Sequence, residues 1–152
     1  MRFKLALIFL LFTIIGNCQI EDEYYQLYIV GKIIFSDSAD SSPPEQVLLK
    51  IKNEKGKRRN VVITNFEDVK VSFNLLEKFE VLFIAKGYQK KMLLIDTRKD
   101  MGVFDEYSDF EFPFELTMIS KKMPKIKSYV GEVRLDPHPD NLYFEFYPPK
   151  PE

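Results

Sequence analysis

The stretch FIAKGYQKKMLLIDT, residues 83–97, contains two apolar runs that are interrupted by Lys86, Gly87 and Tyr88. Each run has the length of a β-strand, and a glycine adopts a positive φ angle without steric cost, so Gly87 is predicted to reverse the chain between two strands. Tyr88 has an apolar ring and a polar hydroxyl, so we expect the ring to cover the edge of the core and the hydroxyl to bond a backbone group. Gly87 and Tyr88 are therefore predicted to form a structural turn.

Segments on both sides of this turn alternate between apolar and polar residues, which is the period of a β-strand. In QLYIVGKIIF, residues 26–35, alternate apolar residues fall on one face, and Gly31 allows another backbone to pass closely. FEFPFELTM, residues 110–118, alternates in the same way, and Pro113 predicts either an edge strand or an outward-facing position, because it has no N–H to donate. FEVLFIAK, residues 79–86, is apolar on both faces, which predicts a central strand covered on both sides. No segment has a helical stripe, so the chain is predicted to be all-β.

The first 18 residues, MRFKLALIFLLFTIIGNC, have the organisation of a secretory signal peptide, with two early positive charges, an apolar run and small residues at its end. The apolar run is too short for a membrane-spanning helix, which needs about 20 residues. Cleavage after Cys18 would give a mature chain that begins at Gln19. The alternative is lipidation of Cys18, which Asn17 disfavours because lipoprotein signals have a small residue at that position. The protein is thus expected to be exported.

Composition excludes several functional classes. Removal of Arg2 and Lys4 with the signal peptide changes the balance from 22 basic and 23 acidic residues to 20 and 23, a net charge of −3. A slightly acidic domain is a poor candidate for nucleic-acid binding. Cys18 is the only cysteine, so the mature domain has no disulfide and no thiolate metal site. Membrane contact is expected only through a lipid anchor at Cys18.

The polar residues suggest no catalytic site, no cofactor site and no metal site. His138, the only histidine, lies in DPHPDN and is predicted to belong to a hairpin tip rather than to act as a general base or metal ligand. The acids between Asp96 and Asp109 lack the spacing of a calcium loop and are predicted to be a solvated loop. The basic run from Lys50 to Arg59 is predicted to be a solvated hairpin, with an anionic glycan or lipid headgroup as the alternative contact.

The segments YVGEVRL and LYFEFY predict a C-terminal β-hairpin. In the last strand Leu142, Phe144 and Phe146 can pack on the core, which leaves Tyr143 and Tyr147 on the other face. A strand near the chain end has an exposed edge, so these two tyrosines are candidates for contact with a partner protein by strand addition. The alternative is stacking on a glycan, although the sequence contains no Trp, the most common platform for a sugar face.

Several of these segments together resemble the carboxypeptidase regulatory-like family. The corresponding pieces are Gly31 in the first strand, PPEQVLLKI, VSFNL, FEVLFIAKGY and LLIDT, within residues 26–119. The resemblance implies an immunoglobulin-like or transthyretin-like β-sandwich of about seven strands, extended here by the C-terminal β-hairpin. The family has a glycine in the turn before its VSFNL strand, whereas residues 64–68, TNFED, have none. That turn must be built differently here.

Members of this family are mostly non-catalytic accessory or binding domains, and the order KGY, DT and FEFPF before a final hairpin is similar to members exported to Gram-negative envelopes. The resemblance therefore implies a non-catalytic module exported to the periplasm or the outer membrane. There it would bind an envelope protein or have a structural role in the cell envelope. A glycan-binding module is the alternative. The expected divisions of the chain are a signal peptide at 1–18, a short segment at 19–25, the sandwich at 26–119, a linker and hairpin at 120–147, and a Pro-rich tail at 148–152.

Overall fold

The computed structural model describes residues 26–36, 43–98, 109–137 and 142–150, and these ranges contain nine β-strands and no helix. The strands are β1 Gln26–Ser36, β2 Val47–Asn53, β3 Arg58–Ile63, β4 Val69–Asn74, β5 Lys78–Ala85, β6 Lys91–Asp96, β7 Asp109–Ile119, β8 Tyr129–Pro137 and β9 Leu142–Tyr147. The all-β class predicted from the alternation is confirmed.

These strands form two sheets. The smaller sheet has the order β4-β1-β7, and the larger sheet has the order β3-β2-β5-β6-β8-β9. Neighbouring strands are antiparallel except for two parallel pairs, β1 with β7 and β6 with β8. The buried side chains of both sheets form one hydrophobic cluster, so the fold is a β-sandwich.

Alternation along each strand determines which residues enter this core. Leu27, Ile29 and Ile33 of β1 are buried, as their spacing predicted. The C-terminal hairpin contributes Val133 of β8 and Phe144 of β9 to the same cluster. Because β8 is also hydrogen-bonded to β6, this hairpin continues the larger sheet and shares the core of the preceding strands.

β1 and β7 approach each other most closely at Gly31. A Cβ atom added to Gly31 would overlap the carbonyl oxygen of Phe114, so the close backbone passage expected at this glycine is confirmed. β7 is an edge strand of the smaller sheet, and Pro113 is exposed on it, which agrees with the position that its missing N–H predicted.

The turn between β5 and β6 contains Gly87, whose φ angle is +84°, as the sequence predicted. Tyr88 follows, and its ring packs edge-on against Phe35 with 5.0 Å between the centroids. The expected hydrogen bond of its hydroxyl is wrong, since the Tyr88 Oη atom has no partner among the described residues. The reason is burial: only 3% of Tyr88 is exposed, so the hydroxyl lies among core side chains instead of reaching the backbone at the corner.

The glycine-free turn before β4 is built from side-chain and backbone hydrogen bonds. The backbone N–H of Glu67 donates to Asn65 Oδ1 at 3.3 Å, which is an Asx-type turn. The carbonyl oxygen of Phe66 accepts a hydrogen bond from Ile33 N at 2.8 Å, and its ring packs edge-on against Phe35. Asn65 and Phe66 thereby replace the glycine that the family resemblance had led us to look for.

β5 lies in the interior of the larger sheet, between β2 and β6. Its inward residues Val81 and Phe83 are buried, whereas Leu82 and Ile84 on the outer face are only half-buried. The described strands place no further layer over this outer face, so the expectation of cover on both sides is correct for the inner face alone.

Candidate binding surfaces

β9 is the outermost strand of the larger sheet, and no described strand pairs with its outer edge. Tyr143 is 44% exposed on this strand, and Phe146 is 38% exposed although it belongs to the inward-facing set with Phe144. The ring of Phe146 lies against Gly131 of β8, where any larger residue would meet it. An exposed aromatic ring thus lies on each face of this edge strand.

Tyr147 is held more tightly than Tyr143. The guanidinium of Arg134 lies over its ring at 4.1 Å from the centroid, and the hydroxyl donates to Glu145 Oε2 at 2.9 Å. Tyr147 is half-buried, whereas Tyr143 is exposed. Of the two tyrosines chosen from the sequence, Tyr143 is therefore the more accessible to a partner.

A second surface is a groove of about 1070 Å³ next to the β5–β6 turn, between the segment 120–128 and the chain that follows β9. Its apolar residues include Met123 and Ile126, which are 48% and 42% exposed. Its lining lysines are Lys90, Lys121, Lys125, Lys127 and Lys150. No described residue that lines it is acidic, so the groove has a strongly positive rim around apolar side chains.

The side chain of Gln89 determines the shape of this groove. Its Nε2 atom lies 3.0–3.2 Å from the carbonyl oxygens of Ser120, Met123 and Pro124, and its Oε1 atom accepts from Ile126 N at 3.0 Å. The backbone N–H of Gln89 also donates to the carbonyl oxygen of Ile119 at 2.8 Å. A segment without regular secondary structure is therefore held in one conformation by one glutamine.

Four lysines of the groove carry unpaired positive charge beside exposed apolar side chains. Within the described ranges, the side chains of Lys90, Lys121, Lys125 and Lys150 have no carboxylate within ion-pair distance. Some lysines of the strands are paired, for example Lys70 with Glu111 at 3.1 Å, whereas Lys50 and Lys52 of β2 have no ion pair among the described residues. The groove lysines consequently carry charge that can meet an external anion.

Lys90 and Lys91 are neighbours in the sequence, but one is exposed at the groove and the other is buried in the sandwich. Lys90 is exposed and lines the groove, whereas Lys91 is 7% exposed and lies on the buried face of β6 with Leu93. Burial lowers the pKa of Lys91, since removal of water disfavours its charged form. Lys91 is thus part of the sandwich and does not contribute to the lining of the groove.

The sequence interpretation missed this groove. It took SKKMPKIK, residues 120–127, as a basic linker, although lysines interleaved with Met123 and Ile126 are a signal for an amphipathic surface. Gln89 could not be recognised, because its four partners for side-chain hydrogen bonds are at least 31 positions later in the chain.

The remaining candidates from the sequence are dispersed. Asp96 is bound to Arg98 at 2.6 Å, and Asp109 Oδ1 accepts from Gln26 N at 3.1 Å. The basic run at the β2–β3 hairpin is exposed, and Arg59 lies over the ring of Phe73 at 5.4 Å, where burial lowers its pKa. Cys18, His138 and the acids from Asp100 to Glu106 lie outside the described residues.

No family model matches the chain, and no curated protein and no solved structure is similar to it. Among the described residues, no group of three or more His, Cys, Asp or Glu side chains is placed to hold a metal ion. None of the described segments is a helix long and apolar enough to span a membrane. The function is therefore argued from the two surfaces themselves.

Proposed function

We propose that the chain is a non-catalytic, exported β-sandwich module that binds a protein of the cell envelope through the edge of β9. The single observation that carries this proposal is the aromatic, unpaired edge of the six-stranded sheet. We also propose that the sandwich is of the carboxypeptidase regulatory-like type, on the basis of the sequence pieces that resemble that family. Its mature chain would begin at Gln19 after signal-peptide cleavage.

The four edge strands differ in how they discourage pairing with another chain. The edge strand β3 begins with two arginines, β4 contains Lys70, and β7 contains Pro113 together with Glu111 and Glu115. Charges and proline are the usual means of protecting an edge. β9, like β4, has a single charged residue, Glu145, but β9 alone of the four exposes aromatic rings, those of Tyr143 and Phe146. Of the four edges, β9 is thus the best suited to accept a strand.

Strand addition at β9 would combine two contributions. The backbone N–H and C=O groups of the outer edge would bond an extended segment of the partner, and Tyr143 with Phe146 would contact its side chains. Aromatic residues give large contact areas at a low cost in side-chain entropy, which makes them frequent in protein interfaces. Glycan binding remains the second candidate, because Tyr143 is an exposed aromatic ring that can stack on a sugar.

The proposal is tested with the variant Tyr143→Ala, Tyr147→Ala in a pull-down from native envelopes. We expect the folded double variant to lose the partner. Val62→Ala is the control and should retain it, because Val62 is 53% exposed but lies on β3, at the opposite edge of the six-stranded sheet. Amide exchange of β9 should slow in the complex. Retention of the partner by the double variant would contradict strand addition, and binding to polysaccharide in place of protein would favour the glycan candidate.

A further inference from the structure

We propose that the lysine-rimmed groove binds an acidic polypeptide segment that also carries apolar side chains. This site is separate from the edge of β9, and its ligand class follows from charge, shape and lining. The four groove lysines without an ion pair among the described residues, Lys90, Lys121, Lys125 and Lys150, favour an anionic ligand, because their ammonium groups gain a partner in the complex and repel cationic segments.

Preorganisation supports a binding role for the groove. Gln89 holds the segment 120–126 through contacts to three carbonyl oxygens and one N–H, so the segment does not have to become ordered when a ligand arrives. Two backbone bonds add to this, Lys121 N to Gly87 O at 2.9 Å and Met92 N to Ser128 O at 2.8 Å. A site whose shape exists before binding avoids part of the entropy cost of association.

The apolar lining favours a polypeptide over a sugar polymer or a bilayer surface. Met123 and Ile126 are exposed at the groove, and flexible Met side chains suit apolar peptide side chains. Sugar faces stack on aromatic rings, and Tyr129, the aromatic residue of the lining, is half-buried. A lipid headgroup layer is broad and flat, whereas this surface is concave.

The chain's own acidic segments are poor candidates for the ligand, because they join the sandwich far from the groove or lack large apolar side chains. Gln26 and Asp109, where the acidic stretches 19–25 and 99–109 join the sandwich, are paired at the end of β1 remote from Ser36. The 11 residues of β1 separate these ends by about 33 Å. The segment 37–42 follows Ser36 and contains two aspartates, but its sequence DSADSS has no large apolar side chain to cover Met123 and Ile126.

The test is selection of random dodecapeptides displayed on phage against the mature full chain, followed by fluorescence anisotropy with the best peptides. We expect peptides that combine Asp or Glu with large apolar residues, and an affinity that falls as salt rises because salt screens exposed charges. Lys125→Glu with Lys150→Glu should weaken binding by about tenfold or more, since both rim charges become repulsive. Ile126→Ser should also weaken it, whereas Val62→Ser should not.

A matched control removes the effect of net charge. Lys50→Glu with Lys57→Glu changes the total charge equally on the exposed β2–β3 hairpin and should leave the affinity within about twofold of the wild type. Circular dichroism and melting temperature verify that each variant is folded. Selected peptides without acidic residues, or undiminished binding to the groove variant, would overturn the proposal. So would groove-dependent binding to heparin or phosphatidylglycerol vesicles in the absence of peptide binding. None of these results depends on the β9 edge.

Discussion

Gly31 and Gly87 are required for different physical reasons. At Gly31 the backbone of β7 occupies the space of a side chain, because an added Cβ would overlap the carbonyl oxygen of Phe114. At Gly87 the space is open, with no atom within 4 Å of an added Cβ, but the φ angle of +84° is one that other residues rarely adopt. The first constraint is steric and acts between strands, whereas the second is conformational and local.

Replacement by alanine should separate these two constraints. Gly31→Ala should lower the free energy of unfolding by about 3 kcal/mol or more, since the clash is with backbone that cannot rotate away. Gly87→Ala should cost about 1 kcal/mol, the usual penalty for a left-handed non-glycine residue. Urea denaturation of the two variants gives both values. Equal losses in the free energy of unfolding for the two variants would contradict the steric constraint between β1 and β7 at Gly31.

Thr97 is a buried residue whose hydrogen-bonding role has no local signal in the sequence. Its hydroxyl accepts from Glu77 N at 3.0 Å and lies within donating distance of the Glu77 and Asn74 carbonyl oxygens, at 2.8 and 3.1 Å. Its own carbonyl oxygen accepts from Leu76 N, and Leu76 has a φ angle of +64°. Thr97 therefore stabilises the turn between β4 and β5, whose backbone is unfavourable for leucine.

At the scale of elements, Asp96 connects β6 with its neighbour β5 and with the chain that follows. It pairs with Lys78 at 3.7 Å and with Arg98 at 2.6 Å, and Lys78 also contacts Glu132 of β8 at 3.2 Å. Burial on its own would raise the pKa of Asp96. The hydrogen bonds and charge of Arg98, with the charge of Lys78, outweigh burial and hold that pKa below its usual value.

This lowered pKa predicts how stability depends on pH. The Asp96 carboxyl binds a proton less readily in the folded state, so its stabilising contribution is complete above about pH 4 and is lost as pH falls through the folded-state pKa. Asp96→Asn should lower the melting temperature at pH 7, and its deficit relative to the wild type should shrink as the pH falls below about 4 and through the lowered folded-state pKa. Asp68→Asn, an exposed change of the same type, should show no such convergence. A constant deficit for Asp96→Asn would contradict this charge pairing.

Local patterns predicted the elements, and long-range contacts produced the groove. The alternation around Gly31 and Pro113 and the glycine at position 87 predict strands, an edge and a turn, since these depend on residues that are close in sequence. The groove depends on β7, whose last residue Ile119 accepts a hydrogen bond from Gln89 N and so brings the segment 120–128 beside Gln89. Neither the parallel pairing of β6 with β8 nor the contacts of Gln89 has a local signal in the sequence.

At the scale of the whole molecule, basic residues lie at both ends of the sandwich. The groove lysines lie near Ile119, where β1 and β7 end, and the basic β2–β3 hairpin follows Asn53, which pairs with Phe79 at the opposite end of β5. The chain as a whole is slightly acidic, so both clusters are local features and not a consequence of composition. The groove differs from the hairpin in its concave shape and its exposed Met123 and Ile126, so we expect a ligand with both acidic and apolar side chains to prefer the groove.

The C-terminal hairpin should be indispensable for folding, although the sequence had suggested a sandwich within residues 26–119. Val133 is fully buried, Phe144 is 9% exposed, and β8 is hydrogen-bonded to β6. A chain that ends at Ile119 would expose the edge of β6 together with the core under β8 and β9. We expect it to show no cooperative thermal unfolding and poor amide dispersion in NMR spectra, whereas removal of residues 148–152 alone should preserve both. A cooperative transition of the shorter chain near the melting temperature of the full chain would instead make the hairpin an accessory to an independent domain.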